Sequence, residues 1–335
     1  MARVPTIVAA ELALVLFGCS GGDSNGARSG AGAALDGSVG APVDAAAGDS
    51  GPGLIFRPHD GGGPLPVGVP VPSAFVAGDF GGYALGDPVT AQTPTESGSS
   101  GVDGGKGCDV LVGVVRDFKG INEPGGHPDF EAFSGRGPTL GLVAPDLGVD
   151  QKPVYASHCE AVPDKASCRY GQQTTSKAYY DEWYRFTDGV NKPYLVYFLF
   201  SPNGGVFTFA SRAFFPLDNA GWGNSPEQKG KHNFGFTTEL HTSFEYRGGE
   251  VFTFTGDDDV WVFVNHKLAI DLGGLHPPSS GTLTLDDSAA SLGISPGNLY
   301  PLDLFHAERH SASSNFRVDT TLAFANCGTI VPDIH

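Results

Sequence analysis

The stretch VFTFTGDDDVWVFV, residues 251–264, decides the fold. Two apolar runs, Val251–Phe254 and Val260–Val264, are each of strand length and rich in Val and Phe. Gly256 and three successive acids, Asp257, Asp258 and Asp259, stand between them. Short runs of β-branched and aromatic residues bounded by turn formers are the pattern of strands. The same texture recurs outward at Val110–Val115, Tyr194–Phe200, Val206–Phe209, Thr282–Leu285, Leu299–Phe305 and Asn315–Phe324. Pro202-Asn203-Gly204-Gly205 links two of these runs as a hairpin. Many short strands divided by Gly, Pro and Asp turns argue for an antiparallel sandwich or barrel. The fold class predicted is all-β: an antiparallel, jelly-roll-like β-sandwich with long loops, preceded by a disordered linker.

Composition narrows the function. Among 335 residues there are 49 Gly and 25 Pro, so more than a fifth of the chain disfavours helix. Charged residues make up 17%, below the roughly 25% of an ordinary soluble domain, which excludes a coiled coil. The formal charge is −17, and phosphate recognition needs a basic field, so nucleic acid is not a partner. With 23 Phe and 10 Tyr against one Met, the core is expected to be aromatic.

The chain divides into segments. Residues 1–18 carry Arg3 and a short apolar run ending at Cys19, too short for a bilayer, and are predicted to be an export signal. Leu16-Phe17-Gly18-Cys19 resembles the lipobox of bacterial lipoproteins, which implies lipidation of Cys19. Membrane attachment would then be through the lipid alone, at an outer membrane or cell surface; plain secretion is the alternative. Residues 19–106, rich in Gly, Ala, Pro and Ser, are predicted to be a disordered linker, because they offer too little apolar surface to offset chain entropy. Within it, Ala74–Val89 is the patch expected to order against the domain. The domain is predicted over 107–328, with a tail at 329–335.

Four further cysteines, Cys108, Cys159, Cys168 and Cys327, allow three disulfide connectivities in an exported chain. Cys159 and Cys168 flank a local turn and are expected to pair. Cys108 precedes the first strand and Cys327 follows the last, so a sandwich closing its terminal strands side by side would join them.

Three adjacent carboxylates repel one another. On charge alone, Asp257–Asp259 can be a solvated acidic loop, or they can be compensated by backbone donors, bases or a hard cation. Oxygen-only ligands favour Ca²⁺, although the spacing is not that of an EF-hand. Asp271 and His276 follow closely and could line a pocket, or be a turn former and a surface His. Alternation places Trp261 on the face opposite Val260 and Val262, as a core residue or a stacking platform. His127, Asp129 and Glu131 suggest a structural turn. Glu308-Arg309 can be an internal ion pair or contribute to a site. No GxSxG, HExxH or Cys/His arrangement is present.

FTGDDDVWVFVNHKLAIDLGGLH (254–276), HPDFE (127–131), FFPLD (214–218), HNFGFTTEL (232–240) and LFHAERHSASSNFRVDTTL (304–322) together resemble the fibro-slime domain. The resemblance spans roughly residues 110–325. That family occurs in exported bacterial proteins and slime-mould extracellular factors. It is similar to the protective-antigen-type (PA-fourteen) carbohydrate-binding β-sandwich. In flocculin-type adhesins of the wider group, two consecutive Asp joined by a cis peptide hold a Ca²⁺ that also contacts vicinal sugar hydroxyls. The resemblance implies Asp257 and Asp258 as that pair. A later loop, His306–Asn315 by position, implies Asn315 as a ligand and Glu308 as a weaker candidate. Asp259, Asp271 and His276 are further candidates for ligand contact. The expected function is a surface-tethered, Ca²⁺-dependent carbohydrate-binding or adhesion module for a glycan or matrix polysaccharide, without catalysis. The alternatives are a structural or protein-interaction module of the extracellular matrix and, less favoured, a glycoside-processing enzyme.

Overall fold

Residues 251–264 fold as two strands, and the two lie in different sheets. The computed structural model describes residues 70–94, 108–156, 170–226 and 229–331. Its strands are β1 (Val76–Ala77), β2 (Gly82–Pro88), β3 (Val110–Asp117), β4 (Lys192–Leu199), β5 (Ser201–Asn203), β6 (Val206–Ser211), β7 (Phe236–Tyr246), β8 (Val251–Gly256), β9 (Asp259–Val264), β10 (Lys267–Leu272), β11 (Ser279–Thr284), β12 (Asn298–Glu308) and β13 (Phe316–Thr320). Two short helices, α1 (Lys177–Asp181) and α2 (Leu285–Leu292), interrupt them. An eight-stranded sheet runs β1-β2-β4-β3-β7-β12-β9-β10, and a five-stranded sheet runs β11-β8-β13-β6-β5. The strand pairs within both sheets are antiparallel. The fold is an all-β sandwich.

Strand β9 is buried along its whole length, because both of its faces meet apolar layers. Val260, Val262 and Val264 face the core between the sheets, with Phe209, Phe254, Leu304 and Phe316. Trp261 and Phe263 point the other way, into a second cluster with Phe130, Tyr180, Trp183 and Phe305. That cluster lies under the long excursion between β3 and β4. Trp261 is therefore a core residue and not an exposed platform. Inside the main core, Phe316 meets Phe214 in a tilted contact and Phe254 edge to face, with ring centroids 4.8 and 4.9 Å away. Burying each such ring contributes about 1.5–3 kcal/mol.

Each predicted strand has a counterpart, and the Gly204-Gly205 hairpin joins β5 to β6 with both glycines at positive φ. The sequence reading missed β7, the eleven-residue strand beside β12. Its outward residues are polar but buried: Glu239 accepts from Arg116 at 2.6 Å, from Lys152 and from His241 at 2.5 Å, while His241 reaches Asp303 at 2.6 Å. Polar residues under the excursion hide the strand pattern.

The domain also reaches past its expected borders. Strands β1 and β2 come from the segment assigned to the linker, and β2 pairs with β4. Tyr83 anchors them: its hydroxyl donates to the Ala213 carbonyl at 3.0 Å and accepts from the Phe215 amide at 3.3 Å. Gly81 has φ +68, and a Cβ there would lie 1.9 Å from the Leu199 carbonyl, so glycine is required where β2 enters the sheet. At the other end Ile330 is buried, although residues from 329 onward were assigned to a tail. A disulfide joins Cys108 to Cys327, with Cα atoms 5.3 Å apart. Cys19, Cys159, Cys168, the export signal and most of the linker lie outside the described residues. Among the described residues, no helix is long and apolar enough to cross a membrane.

One buried acid gives the fold a pH dependence. Asp117, at the end of β3, accepts from the Asn233 side chain at 2.7 Å and from the Trp222 amide. Burial pushes its carboxyl up to about 7 from 3.8, against these hydrogen bonds and nearby Lys192. The folded state then holds a proton that the unfolded chain has lost. The stabilisation is complete below about pH 4 and is lost as pH rises to about 7, at roughly 1.4 kcal/mol per unit. Denaturant unfolding from pH 4 to 8 is expected to show this decline. Asp117→Asn is expected to remove that component of the slope, whatever its absolute stability.

Candidate functional site

The chain crosses between the sheets twice at the same corner. Asp257 and Asp258 carry it from β8 to β9, and residues 309–315 carry it from β12 to β13. β9 pairs with β12 and β8 pairs with β13, so the two crossovers lie side by side. This register brings together residues that are about fifty positions apart in sequence.

The peptide between Asp257 and Asp258 is cis. The Asp257 carboxylate accepts from the Asn315 amide at 2.5 Å, the Asn315 side chain at 2.9 Å and the Ser313 hydroxyl at 2.9 Å. His306 donates from Nε2 to the Asp257 carbonyl at 2.9 Å. Burial takes the His306 imidazole down to about 4, so the ring is neutral at physiological pH. Asp258 accepts from the Arg309 amide at 3.2 Å. Both acids line a cleft of about 200 Å³ with Ser134, Gly135, Leu275, His276, Pro277 and residues 310–313. The His276 ring nitrogens lie 2.9 Å from the Leu272 and Pro277 carbonyls, and its N–H donates to one of them, which places the ring in the cleft wall.

Asp259 faces away from this cleft. Its carboxylate binds Arg309 at 2.7 Å through both Nε and Nη2 and accepts from the Gly274 amide at 2.5 Å, and the pair is fully buried. Arg309 Nη1 donates to the carbonyls of Asp129 and Gln173 at 3.0 Å, and the guanidinium lies 4.4 Å from the Trp183 ring centroid. Arg309 is thus the internal ion-pair residue, and its partner is Asp259, not Glu308. Asp259 does not act as a third ligand in the cleft, because its oxygens are committed elsewhere.

Asp271 is also removed from the cleft. It accepts from Trp261 Nε1 at 3.0 Å and from the amides of Gly273 and Gly141 at 3.2 and 2.8 Å, which makes it a loop fastener. The HPDFE motif belongs to the same framework. Asp129 accepts from Trp183 Nε1 at 3.1 Å and the Thr175 amide at 2.6 Å. Glu131 accepts from the Ser311 amide at 2.7 Å, which pins the crossover loop. Ser313 carried no signal in the sequence beyond its neighbourhood in the motif, and Glu131 was singled out only as part of a structural turn.

Glu308 lies beneath the cleft, fully buried, and neither carboxyl oxygen accepts a hydrogen bond of ordinary geometry. Burial, then the charges of Asp258 and Asp257, push its carboxyl well above the usual range, and Ser314 and the His310 amide offset this only in part. Burial also pushes Asp258 well above its usual value, against the attraction of Arg309. The corner thus carries more acid than its bases balance. Its donors are oxygens of the kind a hard cation takes: Asp257, Asp258 and the Asn315 side chain. Among the described residues no three His, Cys, Asp or Glu side chains converge as a metal-binding group. A cation here would therefore rest on two carboxylates and the Asn315 amide, fewer oxygens than the roughly six to eight that Ca²⁺ takes, so a ligand or water would have to supply the rest.

The family model of the PA14 domain matches residues 188–334. That span includes both crossovers. Among curated relatives, the chain is 38% identical over 230 residues to protein psiR of Dictyostelium discoideum, covering 64% of this chain and 21% of psiR. It is 41% identical over 192 residues to protein psiD of the same organism, covering 55% of this chain and 36% of psiD. The chain thus spans well under half the length of these relatives. A solved structure described as the PA14 sugar-binding domain from RTX adhesin aligns with a TM-score of 0.24 at 10% identity, covering 38% of this chain and 80% of that one.

The buried pair makes a stability prediction. Arg309→Met leaves Asp259 charged and unpaired, and is expected to cost about 3–5 kcal/mol in urea unfolding. Adding Asp259→Asn is expected to recover part of that loss, and the non-additivity of the cycle measures the pairing.

Proposed function

We propose that this chain is a carbohydrate-binding adhesion module whose cleft at Asp257–Asp258 takes a terminal sugar with the help of Ca²⁺. The observation that carries the reading is the acid imbalance at the cleft. Asp257 and Asp258 stand side by side at the cleft wall and Glu308 is buried without a hydrogen-bond partner of ordinary geometry, while the Arg309 guanidinium is closed on Asp259. The match of residues 188–334 to the PA14 domain supports it. Bound Ca²⁺ would supply charge compensation and coordination positions for hydroxyl oxygens. The chain's own residues do the rest. Ser313 and Asn315 hold the Asp257 carboxylate in place, and Arg309 orients Asp258 from its backbone. Leu275 and Pro277 offer an apolar wall to the carbon face of a ring, beside His276.

A second reading has one observation in its favour. The Asp257 carboxylate is already satisfied by three internal donors, which suits a purely architectural corner in a matrix-interaction module. Surface tethering belongs to the proposal as well, through a lipid on Cys19. Membrane fractionation is expected to move a Cys19→Ala variant to the soluble fraction, and a membrane-bound, acylated variant would refute the anchor.

Thermal unfolding in millimolar Ca²⁺ and in chelator separates the readings of the corner. At about 100 times the dissociation constant, Ca²⁺ is expected to stabilise the protein by about 2.7 kcal/mol. Asp258→Ala is expected to abolish that gain. A glycan array with and without chelator tests the sugar. A Ca²⁺ gain without glycan binding supports the architectural reading, and equal melting temperatures in all four samples exclude the metal.

A further inference from the structure

A second groove adjoins the acidic cleft on the outer face of the five-stranded sheet. It measures about 460 Å³ and is bounded by Asp79, Arg212, Thr255, Pro278, Asn315 and Arg317. The cleft at Asp257 measures about 200 Å³, below the ~300–1,000 Å³ of typical small-molecule sites, whereas the groove falls within that range. The two share a wall. Pro277 lines the cleft and Pro278 the groove; Ser313 lines the cleft and Asn315 the groove. A chain-like ligand leaving the cleft over this wall enters the groove.

The groove is chemically specific. Arg212 binds Asp79 through Nε and Nη2 at 2.8 and 3.0 Å, and Arg317 binds Asp319 through the same two atoms at 2.5 and 2.8 Å. Each carboxylate thus fixes one edge of a guanidinium, through Nε and Nη2. Each arginine at the groove is paired with its own carboxylate, Asp79 in the wall and Asp319 beyond it, so neither guanidinium is an unpaired cation. A free carboxylate or sulfate would meet Asp79 as well as the arginines. Phe80 adds an exposed ring, 38% accessible, with the Arg317 guanidinium 5.8 Å from its centroid. Its backbone is held in both directions by Ala210, at 3.2 and 3.0 Å, so the ring is presented from a fixed segment. An aromatic face beside neutralised Arg–Asp pairs suits a ligand with apolar C–H faces and many hydroxyls.

We propose that this groove is a second subsite, which takes the inner units of a neutral oligosaccharide whose terminal unit sits at Asp257–Asp258. The proposal rests on the sugar-binding reading of the cleft. It makes the ligand an uncharged, linear glycan of at least three units and not a single terminal sugar. It also assigns a binding role to Asp79 and Phe80, which come from the segment before the disulfide.

Calorimetry of the full exported chain in Ca²⁺ tests this with glucose, galactose and mannose, their linear homotrisaccharides, and trigalacturonic acid. For at least one sugar, the trisaccharide is expected to bind at least tenfold more tightly than the monosaccharide. Phe80→Ala and Arg212→Ala are each expected to remove most of that gain and leave monosaccharide affinity unchanged. Both residues are at the surface and touch neither Asp257 nor Asp258, so folding is not at issue. Equal affinity for one and three units, or variants that weaken both alike, would overturn the subsite. Tighter binding of trigalacturonic acid than of every neutral trimer would overturn the neutral ligand class. Trisaccharide binding that survives Asp258→Ala but not Phe80→Ala would keep the groove as a glycan site and sink the reading of the cleft. Absence of binding by every probe would sink both.

Discussion

The buried pair between Arg309 and Asp259 is the constraint on which the corner depends. Burying a guanidinium away from solvent needs compensation, and here Nε bonds the Asp259 carboxylate, Nη1 bonds two backbone carbonyls, Nη2 is held by charge alone, and an indole ring lies against the group. The partners come from the sheet, from the HPDFE loop and from the segment before α1. One side chain therefore ties the long excursion to the sandwich. By taking Asp259 out of the cleft, it also divides three consecutive acids into two roles. One acid is structural and buried, and the other two stand at the wall of an open space.

That division explains the electrostatics of the cleft. Arg309 cannot serve Asp258 and Glu308 as fully as it serves Asp259, because its side chain points behind them. The remaining compensation for Asp258 is a single backbone amide. The adjoining groove has the opposite character. Its arginines are each closed on a carboxylate, so charge is balanced locally and only hydrogen-bonding capacity is left. An acid-rich cleft and a groove whose arginines are paired thus lie next to each other at this corner.

The sheet framework was legible where periodicity was unambiguous. β9 alternates Val with aromatic residues, and its two faces meet two different cores. β7 was not legible, since its outward side chains are Thr, Glu and His paired beneath a covering loop. β1 and β2 were hidden by the composition around them, although the patch near Tyr83 stood out from it. At the site, Asp257 and Asp258 were conspicuous as adjacent acids, and family resemblance pointed to Asn315. The pairing of Asp259 with Arg309 was not legible, because fifty residues separate them and only the register of β9 against β12 brings them together. Of the two readings open for Asp271, the structure takes the turn former, with the carboxylate accepting from the Gly273 and Gly141 amides.

The disulfide has a mechanical meaning. β2 is held to β4 at one side of the eight-stranded sheet, and Cys108 follows it in the chain. Tension arriving from the N-terminal side would first unzip β1 and β2, one hydrogen bond after another. At Cys108 the load would be divided, since the covalent link to Cys327 hands part of it to the segment that follows β13. Because β3 and β13 lie in different sheets, the load would then enter both layers of the sandwich together. The wall that carries Asp79 and Phe80 lies on the weak side of this junction. A strong pull would therefore strip the groove of its aromatic face and leave the acidic corner intact.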